Sequence, residues 1–204
     1  MKSTLLSTLL LLSTQLFAAN GAMIQPAIDT AAVEASVEIH LDEIEAFEAT
    51  VEIDEVVVKF LAHDHAQNVD TILTYGCHLH GSHIACHEED HLIKSKQTKP
   101  ELMIAHDTAM KKLAKSLKRQ ATDLSVVKYV KAWKAADDHG HDHDHGTDMW
   151  TKVIYEVENI EKTVFVQCHQ HPGQTKYACH YKKTGPVAPN FENGENHDEG
   201  EHDH

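Results

Sequence analysis

The chemistry of this chain is densest between Tyr75 and His91, Y-G-C-H-L-H-G-S-H-I-A-C-H-E-E-D-H. Neutral imidazole is a borderline ligand suited to zinc, nickel and copper(II), so a run of histidines can supply much of a coordination shell. Gly81-Ser82 reads as a two-residue hairpin turn, with Gly first as a type II′ turn requires. Pairing outward sets His80 opposite His83, Leu79 opposite Ile84, His78 opposite Ala85 and Cys77 opposite Cys86. Side chains alternate faces along a strand, and this one register sorts the segment. Tyr75, Cys77, Leu79, Ile84 and Cys86 share a face that can pack on a core and carry a disulfide. His78, His80, His83 and His87 share the other, as candidate metal ligands.

Residues 168 to 180, C-H-Q-H-P-G-Q-T-K-Y-A-C-H, read the same way. A turn over Pro172 to Thr175 pairs His171 with Lys176, Gln170 with Tyr177 and Cys168 with Cys179. Val164, Val166, Cys168, Tyr177, Cys179 and Tyr181 then share one face, and His169, His171 and His180 the other. Two hairpins with opposed cysteines and grouped histidines imply an internal duplication. Disulfides Cys77–Cys86 and Cys168–Cys179 are expected, each closing a loop worth about 2–3 kcal/mol in the chain-entropy model.

Two further segments hold imidazoles. Asp137 to Asp148, D-D-H-G-H-D-H-D-H-G-T-D, interleaves His139, His141, His143 and His145 with Asp, and His63-Asp64-His65 is a smaller version. An ordinary solvated loop uses Gly, Ser, Lys and Glu instead. Asp137 to Asp148 resembles the His/Asp-rich loops of periplasmic zinc-binding proteins that serve uptake transporters, over about ten residues and not in fold. Independently of that resemblance, flexible H-x-H repeats can wrap an ion without a preformed site, with modest affinity and quick exchange.

His87-Glu88-Glu89-Asp90-His91 fits the H-E-x-x-H pattern of zinc hydrolases, in which both His face one side of a helix and the Glu activates water. The charged Glu89 and Asp90 and the strand register at His87 argue against it. The A-C-H endings lack the C-x-x-C-H spacing of covalent haem attachment.

These groups sit in a chain of 204 residues with 19 histidines and a formal charge of −14 when His is neutral. Such a charge excludes nucleic acid and anionic membranes as partners. Met1 to Ala19 reads as a secretory signal, with Lys2, an apolar run from Leu5 to Leu12 and small residues at Ala18-Ala19; cleavage is expected near Ala18, Ala19 or Ala22. No later stretch is apolar enough to span a bilayer. The expected location is therefore the periplasm or the exterior, where cysteines oxidise.

The elements that must position the histidines are read as follows. Residues 20–29 form a flexible leader. Thr30 to Ala49 suits a helix through Val33, Val37, Leu41, Ile44 and Phe47, although its alternation also suits a strand. Glu55 to Leu61 is a strand, and another runs from Val69 into the first hairpin. Thr98-Lys99-Pro100-Glu101 is a capping box opening a helix to Gln120, lined by Met103, Met110, Leu113 and Leu117. Asp123 to Trp133, Trp150 to Val157 and Thr163 to Gln170 suit strands, the last two joined by a turn at Glu158 to Lys162. Residues 185–204 form a disordered acidic tail holding His197, His202 and His204.

The expectation is an α+β domain over residues 30–184, with halves of about 30–97 and 98–184. Each half is a duplicated unit of helix, strand, His-rich loop, strand and disulfide-linked β-hairpin. Its expected function is to bind zinc, or copper or nickel, for buffering, storage or delivery, not catalysis. A metal-uptake transporter or another envelope protein is the expected partner. The alternatives are an envelope interaction module with incidental or pH-sensing histidines and, third, a zinc hydrolase.

Overall fold

Alternation governs this chain more than helical periodicity does. The computed structural model describes residues 19–87, 99–135 and 147–191. In chain order these form α1 (Ile24–Ala35), β1 (Ile44–Val51), β2 (Val56–Asp64), β3 (Val69–His80), β4 (His83–His87), α2 (Glu101–Lys118), β5 (Val127–Ala135), β6 (Asp148–Val157), β7 (Ile160–Gln170) and β8 (Tyr177–Lys182). β2 shows why strands dominate: Val56, Val58, Phe60 and Ala62 are buried while Val57, Lys59 and Leu61 are only half-buried.

All eight strands join one antiparallel sheet in the order β4-β3-β2-β1-β5-β6-β7-β8. Strand neighbours in sequence are neighbours in space, except at the centre. There β1 pairs with β5, with Phe47 opposite Ala132 and Ala49 opposite Val130. This corrects the balanced, duplicated α+β unit expected from sequence. Strand takes 46% and helix 26% of the described residues, and a single sheet runs through both halves. The physical reason is the β1–β5 seam, which gives the halves a common sheet and leaves the two helices as covers on one of its faces.

Four local expectations are also overturned. Residues 20–29 are no flexible leader. Asn20 Oδ1 accepts from Ala22 N at 2.9 Å, a 3-10 turn follows at Gly21–Met23, and α1 buries Ile24, Ala27, Ile28 and Ala31 completely. The helix expected over Thr30–Ala49 therefore ends at Ala35, a 3-10 turn follows at Leu41–Glu43, and β1 begins only at Ile44. The segment from 185 is ordered as far as Phe191, which is buried against Ala46 and Trp133 with the Lys131 ammonium 4.6 Å from its ring. The remaining tail, with His197, His202 and His204, lies outside the described residues. α2 starts at Glu101 with Pro100 as its N-cap and no side-chain cap, two residues later than the capping-box reading.

The helix-covered face holds the main core. Phe47, Phe60, Tyr75, Val130 and Val166 meet α1 and α2 there. Small residues decide how close the helices come. The Ala27 carbonyl of α1 lies 3.7 Å from Cys77 Sγ and 3.5 Å from Cys86 Sγ, and the Ala105 carbonyl of α2 lies 3.5 Å from Cys168 Sγ. Bonded sulfurs have no hydrogen to donate, so these are packing contacts; a larger side chain at either helix position would hold the helix off. Lys99 ties the helices together, its Nζ 2.7 Å from both Asp29 and Asp107.

His106 is the exception in this core. It projects from α2 against Phe47, ring centroids 5.0 Å apart, fully buried, with neither ring nitrogen hydrogen-bonded. Burial, helped by the Lys99 charge, pulls its pKa down to about 3.

Candidate metal centre

The two disulfide hairpins form the outer edges of the sheet. In the first, Cys77 faces Cys86, His78 faces Ala85, Leu79 faces Ile84 and His80 faces His83. Gly81 has φ 61° while Ser82 does not enter the positive region, the pattern of a type II′ turn. The Cys77–Cys86 bond spans a Cα–Cα distance of 4.0 Å on the buried face, under α1. Since alternate side chains leave opposite faces, the histidines emerge on the face away from the helices.

Three imidazoles converge there. His78, His80 and His87 each offer a ring nitrogen within 4.8 Å of the others; His78 is half-buried, and His80 and His87 are exposed. Ring centroids lie 4.6 Å apart for His78 and His80, 5.0 Å for His78 and His87, and 5.9 Å for His80 and His87. The Nε2 atoms of His78 and His80 are 2.8 Å apart. Nitrogens bound to one tetrahedral zinc stand about 3.4 Å apart at a Zn–N length near 2.1 Å, so small ring rotations suffice to accept an ion. His83 sits beside the trio, its ring 6.2 Å from that of His80.

The second hairpin pairs Cys168 with Cys179 and Gln170 with Tyr177 as read, but the ladder stops at Gln170 and the His171–Lys176 pair is not formed. Its disulfide spans 4.1 Å between Cα atoms. His169 lies 4.8 Å from His171 and 5.3 Å from His180, centroid to centroid. Among the described residues, the set of three ligand atoms within 4.8 Å of one another is the first trio, not this one.

His63 and His65 do not join either group. They sit at the far end of β3, where His63 pairs with Asp70; His78 is eight residues further along, roughly 26 Å at strand rise. His63 Nδ1 is 2.7 Å from Asp70 Oδ1, and its ring lies 4.7 Å from that of His65. His139, His141, His143 and His145 lie outside the described residues, as do Glu88 and His91. His87 itself ends a β-strand, a geometry unlike the helix that an H-E-x-x-H site requires.

Two carboxylates take positions the sequence reading does not give them: Glu55 is not singled out by it, and Asp148 reads only as the end of the His/Asp loop. Val56 faces Cys77, which brings Glu55 level with His78. Met149 faces Cys168, which brings Asp148 level with His169. Asp148 is buried and accepts a hydrogen bond from Gln167 Nε2. The signal for both was their position, one residue before the strand residue that faces the first cysteine of each hairpin. It can be read only once the neighbouring strand's register is known.

No protein-family model, curated protein or solved structure matches this chain. The disulfides point to a non-cytoplasmic, oxidising compartment. No helix among the described residues is long and apolar enough to cross a membrane.

Proposed function

We propose that this is an exported protein, periplasmic or secreted behind a cleaved signal, that binds zinc or a similar divalent transition metal to buffer, store or deliver it. The observation that carries this is the convergence of His78, His80 and His87 on an edge fastened by a disulfide. A structural zinc site closes its shell with four protein ligands, whereas three leave a position open. Here two of the three imidazoles are exposed, which favours quick exchange with a partner such as a metal-uptake transporter. An exposed sheet edge neither excludes water nor holds a substrate, so the reading is of a carrier and not an enzyme. His169, His171 and His180 form a second, looser set on the opposite edge.

Zinc titration in competition with a chelator tests this. The wild-type chain should take up one ion more tightly than the rest. Replacing His78 and His80 by Ala should abolish that tight uptake and leave the weaker binding in place. Identical isotherms for variant and wild type would remove the trio from the function, and absence of zinc binding altogether would favour an envelope interaction module.

A further inference from the structure

Gly76 lies inside β3, opposite His87 and two residues before His78, so a side chain there would share the face of the imidazoles. It is not among the glycines with positive φ, so its backbone does not require glycine. Space does. A Cβ built on Gly76 would stand 2.5 Å from Glu55 Oε2 and 3.4 Å from Glu55 Cδ. The Glu55 carboxylate thus lies over the bare backbone of Gly76, which stands opposite His87 and two residues before His78; it is outside the set of ligand atoms within 4.8 Å of one another, so it reaches an ion held there by rotating inward. Glycine inside a strand often marks such a close approach.

We propose that Glu55 is the fourth ligand of the first cluster, its carboxylate closing on a divalent ion held by His78, His80 and His87. This rests on the metal-binding reading above and names the group that completes the shell. Three neutral imidazoles leave the full charge of the ion uncompensated, and a carboxylate cancels part of it while filling the open position. Glu55 sits just before β2, at the end of the short β1–β2 connection, so side-chain rotation can engage or release it without moving the sheet. Such an arm suits a site that must both hold and hand over an ion.

The opposite edge shows what the glycine does. There Gln167 stands opposite His180 where Gly76 stands opposite His87, and its amide engages the carboxylate of Asp148. The proposal is therefore confined to the first cluster.

The test uses full-length processed protein, with zinc affinity from chelator competition and cobalt(II) as a spectroscopic probe. Glu55→Gln should weaken zinc by about ten- to a hundredfold and alter the cobalt visible bands. Gly76→Ala touches no ligand, but its methyl group displaces the carboxylate. It should weaken zinc to the same extent while leaving the metal-free melting temperature unchanged or higher, since glycine is unfavourable within a strand. The double variant should be no worse than either single one. Wild-type zinc affinity in Glu55→Gln would overturn the assignment and leave the His trio standing. A drop in affinity with unchanged cobalt bands would also overturn it, because Glu55 would then act through another residue. His78→Ala with undiminished zinc affinity would remove the site itself, and the proposal with it.

Discussion

Replacing Cys77 and Cys86 together by alanine should lower stability by about 2.5–3 kcal/mol and weaken zinc at the tight site by at least tenfold. The stability loss follows from the loop that the bond closes, nine residues apart in sequence. The affinity loss follows from where the bond sits. β4 is a five-residue strand at the sheet edge, held on one side by β3 alone, and it carries His87. Without the bond, β4 can fray and His87 must be ordered at the expense of binding. Removing Cys168 and Cys179 should cost similar stability, because that bond closes a loop of comparable span. It should leave tight zinc binding nearly unchanged, since the second hairpin lies at the other edge of the sheet. Thermal unfolding and chelator competition on both double variants check this. Equal loss of zinc affinity in the two would show that the bonds act through global stability and not through the placement of His87.

The second large effect concerns acid. His106 has a folded pKa of about 3 against 6.5 for an ordinary histidine. Between those values the unfolded chain takes up a proton that the folded chain refuses, so protons favour unfolding. Its contribution to stability is fully present above about pH 6.5. It falls by about 1.4 kcal/mol for each unit of acidification below that, and levels off below pH 3. Replacing His106 by Phe, a neighbour-compatible ring beside Phe47, should flatten this slope and remove two buried nitrogens without partners. The gain should be small at pH 8 and grow to about 2 kcal/mol or more at pH 5. Denaturant unfolding of both proteins across that range, without metal, measures it. Parallel pH profiles would mean that His106 is not the acid-sensitive group.

Metal release is a separate acid event. Protons compete with the ion for each imidazole ligand, so occupancy should fall steeply between about pH 7 and pH 5. The His106→Phe variant should lose its zinc over the same interval as the wild type while remaining better folded.

How far the sequence discloses this protein depends on the range of each interaction. The hairpin registers were legible because a two-residue turn and strict alternation fix neighbours within a dozen residues; Cys77–Cys86 and the grouping of His78, His80 and His87 follow from that alone. The β1–β5 seam joins Phe47 to Ala132 and leaves no local trace, so the common sheet could not be foreseen. α1 was hidden for a different reason. Its first half, with Ala27, looks like a small-residue leader and only from Thr30 does it read as a helix, yet the size of Ala27 is what lets the helix reach the disulfide. His106 fills the gap in the helical stripe between Met103 and Met110, a spacing visible in the sequence. That it packs as a buried ring depends on Phe47 of β1, a partner far away in sequence. Glu55 needed both the β2–β3 register and the missing side chain of Gly76, two facts that meet only in three dimensions.

The most direct measurement is zinc K-edge X-ray absorption on protein loaded with one equivalent of zinc at neutral pH. The first shell should fit three imidazole nitrogens and one light donor, with the outer-shell scattering that imidazole rings produce and no sulfur. The imidazole signal should fall when His78 and His80 are replaced by Ala. A shell of oxygen alone, a sulfur contribution, or a spectrum unchanged in that variant would contradict metal binding at this site.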